Sequence, residues 1–311
     1  MKKGDRILIT GSSGMVGKNL VERLEFLGYD NLLIPSSKDV NLINQHDTQS
    51  YFDVNNIDYV FHLAAKVGGI HHNIDNPGEF IYENLMINCN VIEASRLTTV
   101  KKLLNLGSSC IYPAHCIQPM QEDYLLDGKP EPTNEGYALS KISALKICEM
   151  YNRQYDTNFI SIILPNIYGK HDNFESEKSH VVSNLISKMH KAKENDINTV
   201  EIWGDGKARR EFIYTQDAVS AIIYFMNKYD KNVISKGINT GFGEDISIKD
   251  LALLIKDVVG YNGNLYFNRT KPNGMMKKLL DSSKAKSLGW AAKTSLFAGL
   301  TKTYKWYKNE M

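Results

Sequence analysis

Short apolar runs alternate with helix-period segments through the first half of the chain. Arg6–Thr10 (RILIT), Asn31–Pro35 (NLLIP), Tyr59–Leu63 (YVFHL), Lys102–Leu106 (KLLNL) and Phe159–Leu164 (FISIIL) read as short β-strands. Met15–Gly28 sets Val16, Leu20, Leu24 and Leu27 at helical spacing and stops in glycine. Glu79–Arg96 and Tyr137–Tyr155 are further amphipathic segments. Buried strands separated by helices predict βαβ units and a parallel sheet. After Pro165 the pattern loosens. Helical periodicity recurs at Val181–Lys193, Asp217–Lys228, Ile248–Val259 and Leu296–Lys308, between polar loops over Lys170–Lys178, Gly204–Arg210 and Lys271–Lys277. The expected fold is α/β: a doubly wound parallel sheet over residues 1–165, with some later segments returning to it, and a smaller α/β substrate domain mainly over 166–311.

Composition narrows the classes. At 311 residues, 42% hydrophobic and 23% charged, the chain is ordinary globular protein, and its net charge of +2 carries no global field for nucleic acid or membrane. No stretch approaches the roughly 20 apolar residues of a bilayer span. The N-terminus lacks a signal-peptide pattern, and Cys89, Cys110, Cys116 and Cys148 have neither C-x-x-C nor metal-ligand spacing. A cytoplasmic enzyme without a metal is the expectation.

The turn after the first strand is Thr10-Gly11-Ser12-Ser13-Gly14-Met15-Val16-Gly17. Glycines at 11, 14 and 17 permit a tight turn, close approach of backbone to a pyrophosphate and close helix–strand packing, with the helix N-terminus facing the phosphates. The second strand ends in Ser36-Ser37-Lys38, with no carboxylate before Asp39. Hydroxyls and a cation there suit a 2′-phosphate, and so NADPH rather than NADH.

Tyr137 and Lys141 stand four residues apart on one helix face. An ammonium about 4 Å from a phenol, at an effective dielectric of about 20, contributes roughly 4 kcal/mol. The pair is therefore expected to draw the phenol down toward acid–base use. Ser108, at the end of the fourth strand, is placed to hydrogen-bond a carbonyl.

These features, with His62-Leu63-Ala64-Ala65 after the third strand, resemble the extended short-chain dehydrogenase/reductases. The resemblance implies that Ser108 and Tyr137 polarise and protonate a carbonyl, and that Lys141 binds the nicotinamide ribose and tunes Tyr137. It also implies cofactor contacts from Ala64 and His180. A narrower likeness runs nearly end to end. Ala65–Ile70 (AKVGGI), Gly107–Pro113 (GSSCIYP), Glu131–Glu135 (EPTNE), His171-Asp172-Asn173-Phe174 with Ser179-His180-Val181, Trp203-Gly204, Arg210-Glu211-Phe212 and Lys278-Leu279-Leu280-Asp281 are similar to the GDP-L-fucose synthase family. That family epimerises C3 and C5 of a GDP-4-keto-6-deoxymannose and reduces C4 with NADPH. The likeness implies Cys110 as epimerisation base and His180 as acid. It implies Asn166 beside the sugar, and Lys188, Trp203, Arg210 and Lys271 around the nucleotide and diphosphate.

Several positions depart from the family pattern. Gly136 replaces a usual proline, Ser13 a frequent arginine, and Ser183-Asn184 a usual Pro-Ala; His71-His72 follow the glycine pair; and the proline of Leu164–Gly169 is moved one place. A reductase for a GDP-4-keto-heptose, with or without epimerisation, is therefore kept as the alternative. A dehydratase of the same fold needs an acidic pair where this chain has Ser109-Cys110. A dinucleotide-sensing protein needs none of Ser108, Tyr137 and Lys141, yet all three are present. By analogy, a homodimer is expected.

Overall fold

The computed structural model describes residues 1–175, 179–271 and 273–310. Residues 176–178, in the loop expected over Lys170–Lys178, and Pro272, in that over Lys271–Lys277, lie outside the described residues, as does the side chain of His71. In the first half, β1 (Ile7–Thr10), α1 (Met15–Phe26), β2 (Leu32–Leu33), α2 (Gln45–Asn55), β3 (Tyr59–His62), α3 (Ile70–Asp75), α4 (Pro77–Leu97), β4 (Lys102–Ser108), α5 (Glu135–Tyr155) and β5 (Phe159–Leu164) follow in order. The second half runs β6 (Asn166–Tyr168), α6 (Val181–Glu194), β7 (Thr199–Trp203), β8 (Arg209–Tyr214), α7 (Thr215–Lys228), β9 (Ile238–Asn239), β10 (Asp245–Ser247), α8 (Ile248–Val259), β11 (Asn264–Asn268), β12 (Lys277–Lys278), α9 (Ser283–Ser287) and α10 (Leu296–Glu310).

Six strands form one parallel sheet in the order β2-β1-β3-β4-β5-β9. Helices cover both faces, so the central strands are largely apolar; every residue of β5 is buried. The strand order reverses beside β1, which opens a crevice at the carboxyl ends of β1 and β3. Segments from the second half pack onto this sheet. β9 pairs with β5, and α7 lies against α1 with Ala218, Ile222 and Phe225 in the same core as Ile7 and Ile9. Lys102, at the start of β4, fastens that packing: its buried ammonium donates to the carbonyls of Phe225 (3.0 Å), Met226 (2.6 Å) and Tyr229 at the end of α7. The Phe225 carbonyl also accepts from the Tyr229 N–H at 3.3 Å, while that of Met226 is one a helix end leaves without an intrahelical partner.

The remaining strands build the smaller unit. β8 is flanked by β10, β6 and β12, while β7 pairs with β11. α6, α8 and α10 pack around their own core of Leu185, Ile186, Leu251, Ile255, Leu300 and Tyr304. The expected helices in this half all form, α8 with the same limits. The strands between them are short, and several are half exposed, as in β7 with alternate residues outward, so they left a weak apolar signature. The helix α2 also escapes the periodicity: only Thr48 and Phe52 of its eleven residues are buried. Its start is marked by Asn44, whose side chain accepts from the Asp47 N–H at 3.1 Å.

Candidate active site

The glycine turn sits at the carboxyl end of β1. Gly11 has φ +72°, and a Cβ there would lie 2.8 Å from the Ala64 nitrogen. A Cβ on Gly17 would come within 2.2 Å of the Gly11 carbonyl oxygen, so the helix packs onto the turn only with glycine. Above Gly14 there is room, the nearest atom to such a Cβ being 3.4 Å away. Gly14 caps α1 with no side-chain hydrogen bond, and the first turn has no acidic residue, which leaves backbone N–H groups for an anion. Ser12, Ser13, Met15 and Val16 complete this rim. The cradle fits a dinucleotide pyrophosphate.

His62 explains why Ala64 stands so close. Its Nε2 meets Asn88 Oδ1 at 2.9 Å, and the Asn88 amide is oriented by donating to the Ser140 carbonyl at 3.1 Å. Nε2 therefore carries the proton, and Nδ1 accepts from the Thr10 hydroxyl at 2.9 Å. Thr10 Oγ1 in turn accepts from the Leu63 and Ala64 N–H groups, each at 3.2 Å. Burial pushes the imidazole down to about 3, so this link stays neutral.

At the end of β2, Ser36, Ser37 and Lys38 are exposed. The Asp39 carboxylate accepts from the Ser36 N–H (2.8 Å) and hydroxyl (2.7 Å), which hold it below its ordinary range. The only carboxylate in this stretch is thus engaged locally.

Ser108, Cys110, Tyr137 and Lys141 converge where β4 meets α5. Burial pushes the Tyr137 phenol above its ordinary range; the charge of Cys110 adds to this and a hydrogen bond with Ser108 opposes it. Lys141 does not draw the phenol down. Its buried ammonium donates to the Leu106 carbonyl at 2.9 Å and lies 5.9 Å from the centre of the Tyr137 ring. Desolvation lowers Lys141 itself to about 8. In place of the lowering that Lys141 could supply, burial dominates at both groups, raising the phenol and lowering the ammonium, and the phenol stays protonated.

The Cys110 thiol is held differently. Its sulfur receives Asn134 Nδ2 at 3.1 Å and Lys278 Nζ at 3.4 Å. Burial alone would raise the thiol. The Lys278 charge, with hydrogen bonds from Ser108, Lys278 and Asn134, outweighs burial and leaves the group below the ordinary range. His180, at the N-cap of α6, moves the opposite way. Its Nδ1 lies 3.6 Å from Asp172 Oδ1, and that contact, opposed by partial burial and aided by the charges of Asp172 and Cys110, raises the imidazole. The His180 side chain is 48% exposed, while that of Asp172 is only 5% exposed.

Neither Lys278, Asn134 nor Asp172 emerged as a site residue from chain patterning. Lys278 stands 168 positions from Cys110, and Asp172 eight from His180, spacings with no local periodicity. The only signal available for any of them was membership of a block shared with a known family.

Lys188, Trp203 and Lys271 come together. Lys188 Nζ lies 5.6 Å and Lys271 Nζ 5.4 Å from the indole ring, so two cations from α6 and the loop after β11 gather at one aromatic surface. Arg210 on β8 donates to the Arg209 and Asn273 carbonyls, at 2.8 and 3.2 Å. Burial lowers its guanidinium, while Cys110 and Glu131 pull it back up. Asn166 donates to the Glu211 carbonyl at 2.9 Å. Gly136 accounts for one departure in sequence: a Cβ there would lie 2.9 Å from the Pro77 carbonyl oxygen, at the close approach of α5 to α4.

Residues 7–241 match the profile of the NAD dependent epimerase/dehydratase family. The chain belongs to that family. Within the epimerase/dehydratase family it is 43% identical to GDP-L-fucose synthase 1 of Arabidopsis thaliana, over 98% of this chain and 94% of that protein. Among solved structures it is similar to a GDP-6-OMe-4-keto-L-xylo-heptose reductase from C. jejuni, with a TM-score of 0.96, 37% identity and coverage of 100% and 99% of the two chains. It is also similar to the GDP-mannoheptose C4 reductase of Campylobacter jejuni solved with NADP bound, at 38% identity and TM-score 0.91, covering 99% of each. No helix among the described residues of this epimerase/dehydratase member is long and apolar enough to cross a membrane.

Proposed function

We propose that this protein is an NADPH-dependent reductase of the C4 ketone of a GDP-linked 4-keto-6-deoxy sugar, and that it also epimerises C3 and C5. The observation that carries this reading is the juxtaposition of two sets of groups. A Ser108–Tyr137–Lys141 set suffices to reduce a ketone. The thiol lowered by Lys278 beside an imidazole raised by Asp172 serves a second task, the movement of protons on carbon.

In this reading Gly11, Ser12, Ser13, Gly14, Met15, Val16 and Gly17 hold the pyrophosphate, Ser36 and Lys38 the 2′-phosphate, and Ala64, Lys141 and His180 the rest of the cofactor. NADPH, when bound, supplies the hydride. The Tyr137 phenol, kept protonated by its burial, gives its proton to the ketone oxygen, which Ser108 also hydrogen-bonds. Cys110 takes the acidic proton alpha to that ketone, and His180 returns one to the opposite face. Trp203 offers its face to guanine, Lys188, Arg210 and Lys271 neutralise the diphosphate, and Asn166 borders the sugar. Residues 1–165 with β9 and α7 form the cofactor half, and 166–311 mainly the substrate half.

A second reading shares this machinery but takes a GDP-4-keto-heptose. It is favoured by the TM-score of 0.96 to a reductase of that sugar class. Incubation with NADPH or NADH and a panel of GDP-4-keto sugars, followed by NMR of the products, separates the two. The expected result is turnover of a 6-deoxyhexose with inversion at C3 and C5, at a higher kcat/KM with NADPH. Turnover of heptoses alone would select the second reading. Equal efficiency with NADH would remove Ser36 and Lys38 from the phosphate site, and no turnover of any sugar would favour a sensor. The four free cysteines suit a reducing, cytoplasmic setting. A homodimer through α4 and α5 would cover their exposed Tyr82, Leu97, Leu139 and Met150.

A further inference from the structure

Lys278 belongs to a strand pinned on both sides. β12 pairs in parallel with β8, setting Lys278 opposite Arg210. Beyond it, the Leu279 N–H donates to Gln118 Oε1 at 2.9 Å and the Leu280 N–H to the buried carboxylate of Glu211, also at 2.9 Å. The Leu279 carbonyl accepts from the Met120 N–H at 2.7 Å. Side chains alternate along such a strand. Lys277 turns to Asp245, at 3.2 Å, whereas Lys278 turns to the sulfur of Cys110, at 3.4 Å. The ammonium is thus delivered to a thiol by backbone that has little freedom to withdraw it. Asn134, from the turn ahead of α5, supplies a second N–H to the same sulfur.

We propose that Lys278 is a positioning residue that favours the thiolate form of Cys110 before any sugar arrives. The other charged and titratable groups around this sulfur are Arg210 of β8, Tyr137 of α5 and His180 ahead of α6, with Glu131 beside Arg210. Arg210 is committed to backbone carbonyls, and Tyr137 stays protonated. Lys278 is the cation whose ammonium makes the hydrogen bond to sulfur. The consequence for turnover rests on the proposed epimerisation; the state of the thiol does not. A base already ionised needs no prior loss of its own proton before it takes one from carbon.

The test uses the full-length protein without ligands. Iodoacetamide alkylation of Cys110 is followed across a pH series, with the peptide carrying it quantified by mass spectrometry and Cys110→Ser marking that peptide. In the unsubstituted protein the midpoint is expected below the ordinary thiol value of about 8.5. Lys278→Gln should raise the midpoint and slow alkylation at neutral pH by about tenfold, the loss that one unit of pKa produces. Lys278→Arg, which keeps the charge, should restore most of the rate. A midpoint at or above the ordinary value in the unsubstituted protein overturns the proposal, and that result needs no variant to fold. An unchanged midpoint in folded Lys278→Gln overturns it equally. A Lys278-dependent midpoint in a protein that exchanges no sugar protons would support this inference while removing the proposed epimerisation.

Discussion

Tyr137→Phe is expected to cut NADPH oxidation on a GDP-4-keto sugar by about 10²–10⁴-fold, the usual worth of a positioned acid or base. Of the Ser108–Tyr137–Lys141 set, the phenol is the group proposed to hand its proton to the ketone oxygen, since the Lys141 ammonium is turned to the Leu106 carbonyl. Burial keeps it protonated, and Lys141 is itself lowered to about 8 and bound to the Leu106 carbonyl. Removal of one oxygen leaves the ring packing intact, and the substrate KM should therefore move far less than kcat. Steady-state assays of folded variant and parent check this. Parent-like turnover in Tyr137→Phe would remove Tyr137 from the proton path.

The second large effect concerns carbon–hydrogen exchange. In D2O without NADPH, the enzyme should place deuterium at C3 or C5 of the sugar, and Cys110→Ser should reduce that exchange about a hundredfold or more, since a hydroxyl is a far weaker base than a thiolate. The same variant should still reduce a ketone that already has the product configuration, because Ser108 and Tyr137 are untouched. The pH dependence follows from the two groups. Exchange requires Cys110 ionised, so it falls as pH drops through a pKa held below the ordinary thiol range. It requires His180 protonated, so it falls again as pH rises through a pKa lifted above the ordinary imidazole range. A bell results, and its limbs belong to the interacting pair rather than to either residue alone. Exchange at the parent rate in Cys110→Ser would assign the proton movement to another base. Ketone reduction with no deuterium at C3 or C5 of the physiological sugar would leave a reductase only.

How much of this was legible in the chain depends on whether the information is local. The strands Ile7–Thr10, Tyr59–His62 and Phe159–Leu164 announce themselves because both faces of a parallel sheet are apolar. The glycine turn is legible because Gly11 and Gly17 answer steric demands within a few residues of themselves. α2 was not, since a helix that buries two side chains has no apolar stripe to read. Nor were β7 and β11, which among the described residues pair only with each other. In the site, Tyr137 and Lys141 share a helix face and could be paired from spacing. Their electrostatics could not, because the outcome turns on burial and on the carbonyl of Leu106, which only the fold supplies. The same holds for the groups that prepare the proton-moving pair. Lys278 reaches Cys110 through strand pairing with β8, and Asp172 reaches His180 across a loop.

Hydride transfer to the sugar is read most directly with NADPH deuterated at the transferable position of its nicotinamide C4. A single turnover with a GDP-4-keto sugar in ordinary water should give a product carrying deuterium at sugar C4, seen as the collapse of the C4 proton signal and its couplings by NMR. A product with hydrogen at C4, or a ketone left intact while the labelled cofactor remains reduced, would contradict an NADPH-dependent C4 reduction.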